Sequence, residues 1–140
     1  MNLDLKKKIV CITGGSEGIG LAIAKAYASE KAHVVICARR KEKLQAAVTA
    51  IKNIGPESVI GIQADVTNIG EIESLINSIE NTHGRLDILI NNAGTGIYKP
   101  FADVTDEELQ YAMAMNFFSQ FRISQRALPL LKKSLSASII

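Results

Sequence analysis

The stretch from Ile9 to Gly20, IVCITGGSEGIG, decides the fold. Its first five residues, Ile9 to Thr13, are apolar or β-branched at successive positions, as in a strand covered on both faces. Four glycines, Gly14, Gly15, Gly18 and Gly20, then break the strand, and apolar residues resume at helical spacing behind them. Glycine lets a backbone turn tightly, come close to a ligand and pack a helix onto a strand. The following helix N-terminus offers unpaired N–H groups and a positive dipole end, so a phosphate-bearing ligand is expected at this turn. A Walker loop would end in Gly-Lys-Ser/Thr, but Leu21 and Ala22 follow Gly20, which argues against NTP hydrolysis. The G-x-G-x-x-G spacing also fails, because Ile23 stands three residues after Gly20. What remains is Thr-Gly-x-x-x-Gly-x-Gly, from Thr13 to Gly20.

Outward from this turn the same alternation repeats. Further strands are expected at His33 to Ala38, Ser58 to Gln63 and Leu86 to Ile90, and a last one at Ala137 to Ile140 is cut off by the chain end. The first three strands are apolar on successive positions, which reads as burial on both faces. Between them lie three sets at helical spacing: Ile19, Ile23 and Ala26; Leu44, Val48 and Ile51; Ile69, Ile72, Leu75, Ile76 and Ile79. Each set predicts one buried helix stripe. Thr105 with Glu108 forms a capping box, and the helix it opens is expected to run to about Lys133. Strands alternating with helices require right-handed crossovers, so the expected fold is α/β: a three-layer Rossmann fold, a parallel sheet with helices on both faces. With no repeat or linker, residues 1–140 read as a single domain.

Composition agrees. The 140 residues are 47% hydrophobic and 21% charged, and a chain of this size buries about 68–70% of its unfolded surface, so neither disulfide nor structural metal is needed. Sixteen basic against fourteen acidic residues leave +2, too little for a nucleic-acid or anionic-lipid footprint. Cys11 and Cys37 sit in apolar runs without metal or redox spacing, so buried free thiols and no metal site are expected. No apolar run approaches the ~18 residues of a membrane span, and no signal-length segment follows the N-terminus. A cytoplasmic protein without membrane partners is expected.

The octapeptide Thr13 to Gly20 resembles the cofactor motif of the short-chain dehydrogenase/reductase family, and later landmarks extend that resemblance over the whole chain. It implies that Gly14, Gly18 and Gly20 surround a dinucleotide pyrophosphate, with Ile19 in the same turn and Thr13 and Ser16 as neighbouring hydrogen-bonding positions. It implies that the Asp65-Val66 pair lies against the adenine, although Asp65 also reads as a turn residue before the cap formed by Asn68 and Glu71. Asn91-Asn92-Ala93-Gly94 matches the family's NNAG motif, an amide-rich turn where a cofactor passes close to Asn92, Ala93 and Gly94. Asn116 falls on a helix stripe with Leu109, Met113, Phe117, Ile123 and Leu131, opposite Glu108, Tyr111, Arg122 and Arg126, so it is expected to be buried. It reads either as a satisfied packing asparagine or, by resemblance, as the asparagine of the family's Asn-Ser-Tyr-Lys catalytic set, holding the lysine through ordered water.

An NAD-selective site places an acid about 20 residues after the glycines, whereas an arginine there accommodates the 2′-phosphate of NADP. The second strand ends Cys37-Ala38-Arg39-Arg40-Lys41, with Ala38 where the acid would stand. NADP(H) is therefore favoured, with NAD(H) possible. Cations in the first turn of a helix oppose its dipole by about 0.3–1 kcal/mol each, and a bound 2′-phosphate would offset that cost. Glu17 stands where some NADP-preferring relatives carry a basic residue, which leaves specificity to Arg39 with Arg40 as helper.

The resemblance implies an oxidoreductase that interconverts a small-molecule carbonyl and a secondary alcohol, with a tyrosine as acid/base, a lysine lowering its pKa and a serine on the substrate oxygen. In the family these follow the fifth strand, within which this chain stops, so a cofactor-binding part that is inactive alone is expected. Tyr27 and Lys31 have the Tyr-x-x-x-Lys spacing, but about eleven residues at about 1.5 Å each put Lys31 roughly 16 Å from the glycine turn, towards the wrong sheet edge. Ser134, Ser136 and Ser138 precede or begin the last strand, and none is expected to take the serine role. Tyr98 and Phe101 either line a substrate pocket or pack. A homo-oligomer is expected, because the short last strand leaves an unprotected edge and the family packs its long helix against a second subunit. A non-catalytic dinucleotide-binding module and a methyltransferase-like nucleotide-binding protein are the other readings.

Overall fold

The computed structural model describes residues 3–140. Five parallel strands form one sheet in the order β3-β2-β1-β4-β5: β1 (Ile9–Thr13), β2 (His33–Ala38), β3 (Ser58–Gln63), β4 (Ile88–Ile90) and β5 (Ser138–Ile139). The helices are α1 (Gly18–Ser29), α2 (Lys41–Lys52), α3 (Ile69–His83), α4 (Asp106–Met113) and α5 (Ser119–Leu131). In register, Thr13 lies beside Cys37 and Ile12 beside both Ile36 and Ile90.

The alternation of side chains along each strand divides the core into two layers. Val10, Ile12, Val34 and Ile36 face one way, onto Ala24, Ala28, Leu44 and Ile51 of α1 and α2. Cys11, Val35, Cys37 and Leu89 face the other, onto Ile72, Leu75 and Ile79 of α3 and Ile123, Ala127 and Leu130 of α5. Helices therefore cover both faces, as the three-layer reading requires.

Several expectations change. β1 is buried throughout, but β3, expected to be buried on both faces, is the sheet's edge strand and only partly covered. In α1 the buried stripe is Gly20, Ala24 and Ala28; Ile19 is 74% exposed and Ala26 is exposed. The helix lies so close to β1 that small residues, rather than the most apolar ones, face the sheet. Ile69, the first residue of α3, is exposed as well.

The helix opened by Thr105 keeps its capping box but is not uniform. A π-helical turn, Ala114–Phe118, separates α4 from α5, which ends at Leu131 instead of Lys133. The wider turn rotates the following faces. Met115, Ser119, Ile123 and Ala127 point inward, while Leu109, Met113, Phe117 and Asn116 are exposed, so the buried position expected for Asn116 is corrected.

β4 begins at Ile88 rather than Leu86, and the residue just before it ties the edge of the fold together. Buried Asp87 accepts hydrogen bonds from the Ile9 N–H (2.8 Å), the Ser134 hydroxyl (2.5 Å) and the Arg85 guanidinium (3.3 Å). Burial pushes its carboxyl up, but the bonds from Ser134, Ile9 and Arg85 outweigh burial and hold it below the usual range. Ser134 thus has a structural partner far from the glycine turn.

Candidate functional site

Strand order reverses between β1 and β4, and open parallel sheets place their ligand crevice beyond the carboxyl ends of the strands at such a point. Two turns meet there. Gly14 (φ 65°) and Gly18 (φ 53°) adopt left-handed backbone in the turn after β1. The Asn92 carboxamide donates to the Thr13 carbonyl (3.0 Å) and the Gly14 carbonyl (3.2 Å). In return the Thr13 hydroxyl accepts from the Asn92 and Ala93 N–H groups, each at 3.0 Å. A Cβ on Gly20 would lie 2.3 Å from the Gly14 carbonyl oxygen and 2.5 Å from the Asn92 nitrogen, so only glycine lets α1 start this close.

These bonds shape a cleft of about 220 Å³ lined by Gly14, Ser16, Glu17, Cys37, Ala38, Arg39, Arg40, Ala64, Val66, Asn92, Ala93, Gly94 and Met115. Thr13 and Gly20 are buried behind its wall, while Gly18 and Ile19 are exposed at the start of α1. Asp65 is not on the wall. Its carboxylate accepts from the Thr67 N–H (2.9 Å) and hydroxyl (2.7 Å), and its own N–H donates to Glu71, so the structure gives it the turn role. Asn116 clamps the next loop: it accepts from the Thr95 N–H (2.8 Å) and donates to the Thr95 carbonyl (2.7 Å).

The basic end of the cleft also differs from expectation. Arg40 and Lys43 both pair with the Glu17 carboxylate, so the cations at the start of α2 have a visible counter-charge inside the protein. The hydrogen bond from Lys43 is the main reason the Glu17 carboxyl sits below its ordinary range, with Arg40 adding to it. Arg39 instead donates to the Tyr111 hydroxyl on α4 at 2.8 Å.

Cys37 and Cys11 are free and buried. Burial pushes the Cys37 thiol up to about 12 and raises Cys11 as well, so both stay protonated and unreactive. Among the described residues, no group of three or more His, Cys, Asp or Glu is placed to hold a metal ion. Nor is any helix among them long and apolar enough to cross a membrane.

Tyr27 packs on the α1–α2 layer, and Lys31 donates to the Gly55 carbonyl at 2.7 Å, away from the cleft. Tyr98 and Phe101 are almost fully exposed; Tyr98 borders a second cleft with Thr95, Lys99, Glu108 and Tyr111. Glu17, Cys37, Ala38, Ala64 and Met115 are wall residues that sequence reasoning did not assign to the site. The end of the apolar run His33 to Ala38 before Arg39 was a usable signal for Cys37 and Ala38, whereas Met115 arrives through a π turn that no residue type announces.

A family model described as "short chain dehydrogenase" matches residues 8–140. The chain is 39% identical over 129 residues to the uncharacterized oxidoreductase YvrD of Bacillus subtilis, covering 92% of this chain and 48% of that protein. It is 40% identical over 138 residues to a tropinone reductase homolog of Arabidopsis thaliana, covering 98% and 51%. A crystal structure of L-sorbose reductase from Gluconobacter frateurii, complexed with NADPH and L-sorbose, superposes with a TM-score of 0.94 at 31% identity, over 99% of this chain and 53% of that one. The chain spans about half the length of the curated relatives it matches.

Proposed function

The chain belongs to the short-chain dehydrogenase family, and from that premise we propose that residues 1–140 are the NAD(P)-binding Rossmann domain of an NADP(H)-dependent oxidoreductase acting on a small-molecule carbonyl or secondary alcohol. The observation that carries this reading is the cleft at the strand-order reversal, with Arg39 on its wall and Ala38 where an NAD-selective site would place an acid. The L-sorbose reductase structure with NADPH supports the choice of dinucleotide.

The residues fit such a cofactor. Nothing lies within 4 Å of where a Cβ of Gly18 would be, so the first turn of α1 is open to an approaching anion. Gly14, Ser16, Gly18, Ile19 and Gly20 would hold the pyrophosphate with the helix N-terminus. Arg39 and Arg40 would meet the 2′-phosphate; Val66, on the turn that Asp65 shapes, the adenosine end; and Asn92, Ala93 and Gly94 the nicotinamide half. Thr13 acts as a positioning residue that locks the two turns together. When bound, the nicotinamide supplies hydride exchange with the substrate carbon. Asn116 takes the place of the family's catalytic asparagine, its carboxamide oriented by Thr95.

A polypeptide of these 140 residues is expected to bind NADPH without turning over a carbonyl, because neither Ser134, Ser136 and Ser138 nor the Tyr27/Lys31 pair lines the cleft. A reading frame that continues beyond Ile140 into a serine and Tyr-x-x-x-Lys supports the enzyme; a frame without them leaves a dinucleotide-binding module. We place the protein in the cytosol, which suits two free thiols. A homo-oligomer accords with the exposed stripe Leu109, Met113, Phe117 and Phe121 along α4 and α5. Fluorescence titration with NADPH and NADH tests the reading, and absence of binding to both removes it.

A further inference from the structure

α4 lies on the outside of the fold, and none of its residues is buried. Most of its side-chain bonds stay within the segment that leads into it: Glu108 pairs with Lys99 at 2.7 Å and closes the capping box with Thr105, and Gln110 donates to Asp106 at 2.6 Å. At the base of that segment Asn116, in the π turn, clamps Thr95. Among the described residues, the bond from Arg39 to the Tyr111 hydroxyl is the one side-chain hydrogen bond or ion pair that joins α4 to the β2 end of the sheet. Its two partners line different clefts. Arg39 borders the one at the strand-order reversal, while Tyr111 borders the second, of about 410 Å³, with Thr95, Tyr98, Lys99 and Glu108.

We propose that Tyr111 is a positioning residue that couples the two clefts: an anion held by Arg39 in the first steadies α4, and with it the wall of the second. This rests on the reading of the first cleft as a dinucleotide site. A guanidinium carries five N–H donors and the Tyr111 bond uses Nη1, so a phosphate can take other donors while the tether stays in place. Without an anion beside it, exposed Arg39 gives up rotamer freedom whenever it bonds Tyr111. A bound phosphate has already ordered the side chain, so the Tyr111 bond forms more readily and α4 opens less often. Linkage makes the effect reciprocal: a tether that favours the phosphate is favoured by it to the same factor. Lys99, Glu108 and Tyr111 belong to the steadied segment, so the second cleft is ordered with it.

The test is hydrogen–deuterium exchange of wild type and Tyr111→Phe, each alone and at saturation with adenosine 2′,5′-bisphosphate or with AMP, which differ by the 2′-phosphate alone. Both ligands are expected to slow exchange in the glycine turn. In wild type the bisphosphate is also expected to slow the α4 amides about threefold, whereas in Tyr111→Phe they change by less than about 1.5-fold. A tyrosine with a merely structural role would alter α4 exchange without ligand and leave the ligand-dependent step intact. Unchanged α4 exchange in wild type, while the glycine turn slows, overturns the proposal. Slowing of α4 that is equal in Tyr111→Phe, or equal with AMP, overturns it too, because the coupling would then run by another route. If neither ligand slows the glycine turn, the dinucleotide reading fails and takes the inference with it.

Discussion

Arg39, at the end of β2, donates a 2.8 Å hydrogen bond to the hydroxyl of Tyr111 on α4. The two residues are 72 positions apart, and the bond holds a guanidinium at the wall of the cleft that would otherwise sample many rotamers. Tyr111→Phe keeps the ring and removes the tether. NADPH affinity is expected to fall about threefold in this variant, the cost of ordering one free side chain, with NADH affinity unchanged. Parallel titrations with the two dinucleotides check it; equal loss for both would mean that Tyr111 acts elsewhere.

Gly20 and the Gly14 carbonyl define how closely α1 approaches β1. Alanine raises helix propensity by about 1 kcal/mol, but its Cβ would sit 2.3 Å from that carbonyl oxygen, and backbone cannot move aside cheaply. Gly20→Ala is expected to destabilise the fold by about 1–3 kcal/mol in urea unfolding. Gly70→Ala, in the first turn of α3, is the control, because its nearest neighbour is the Asn68 oxygen at 3.4 Å and the substitution is expected to be neutral or stabilising.

Acid stability divides between two groups. Asp87 has its carboxyl held below the usual 3.8, so its contribution is complete above that value and is lost as pH falls through the lower folded one. His83 is held below the usual 6.5, first by burial and then by His33 and Arg85. The unfolded chain therefore takes up a proton near pH 6.5 before the folded chain does, and stability falls from there towards the lowered folded value. His83→Asn is expected to flatten the upper part of the acid limb. Asp87→Asn is expected to flatten the lower part while costing about 1–3 kcal/mol at neutral pH, since Ile9 and Ser134 lose a charged acceptor. Unfolding free energies measured from about pH 2 to 8 separate the two, because the Asp87 window lies below 3.8 and the His83 window below 6.5.

Much of this was legible in the residues, for reasons that differ from element to element. β1, β2 and β3 begin and end where the apolar runs between Lys8 and Gly14, before Arg39 and after Glu57 place them, and the glycine turn and the Asn92 turn were legible as turns from their Gly and Asn residues. Strand order was not, since Val59, Ile60 and Ile62 give Ser58 to Gln63 the apolar run of a strand without marking it as the edge. Hydrophobicity misread α1, where contact distance selects Gly20, Ala24 and Ala28 over Ile19. The π turn carries neither Pro nor Gly, so the register shift that exposes Asn116 left no mark. The partners of Glu17, Asp87 and Arg39 are long-range, and periodicity carries no information about such pairs.

In the proposed function this cleft binds a dinucleotide and Arg39 reads its 2′-phosphate. The most direct measurement is the affinity of the 140-residue chain and its Arg39→Asp variant for NADPH and NADH, followed by fluorescence. Wild type is predicted to bind NADPH more tightly, and Arg39→Asp to lose about tenfold or more for NADPH while gaining for NADH, because a charge-assisted phosphate contact is replaced by repulsion on one side and a ribose acceptor on the other. NADPH affinity unchanged in Arg39→Asp, or no binding of either dinucleotide to wild type, would contradict it.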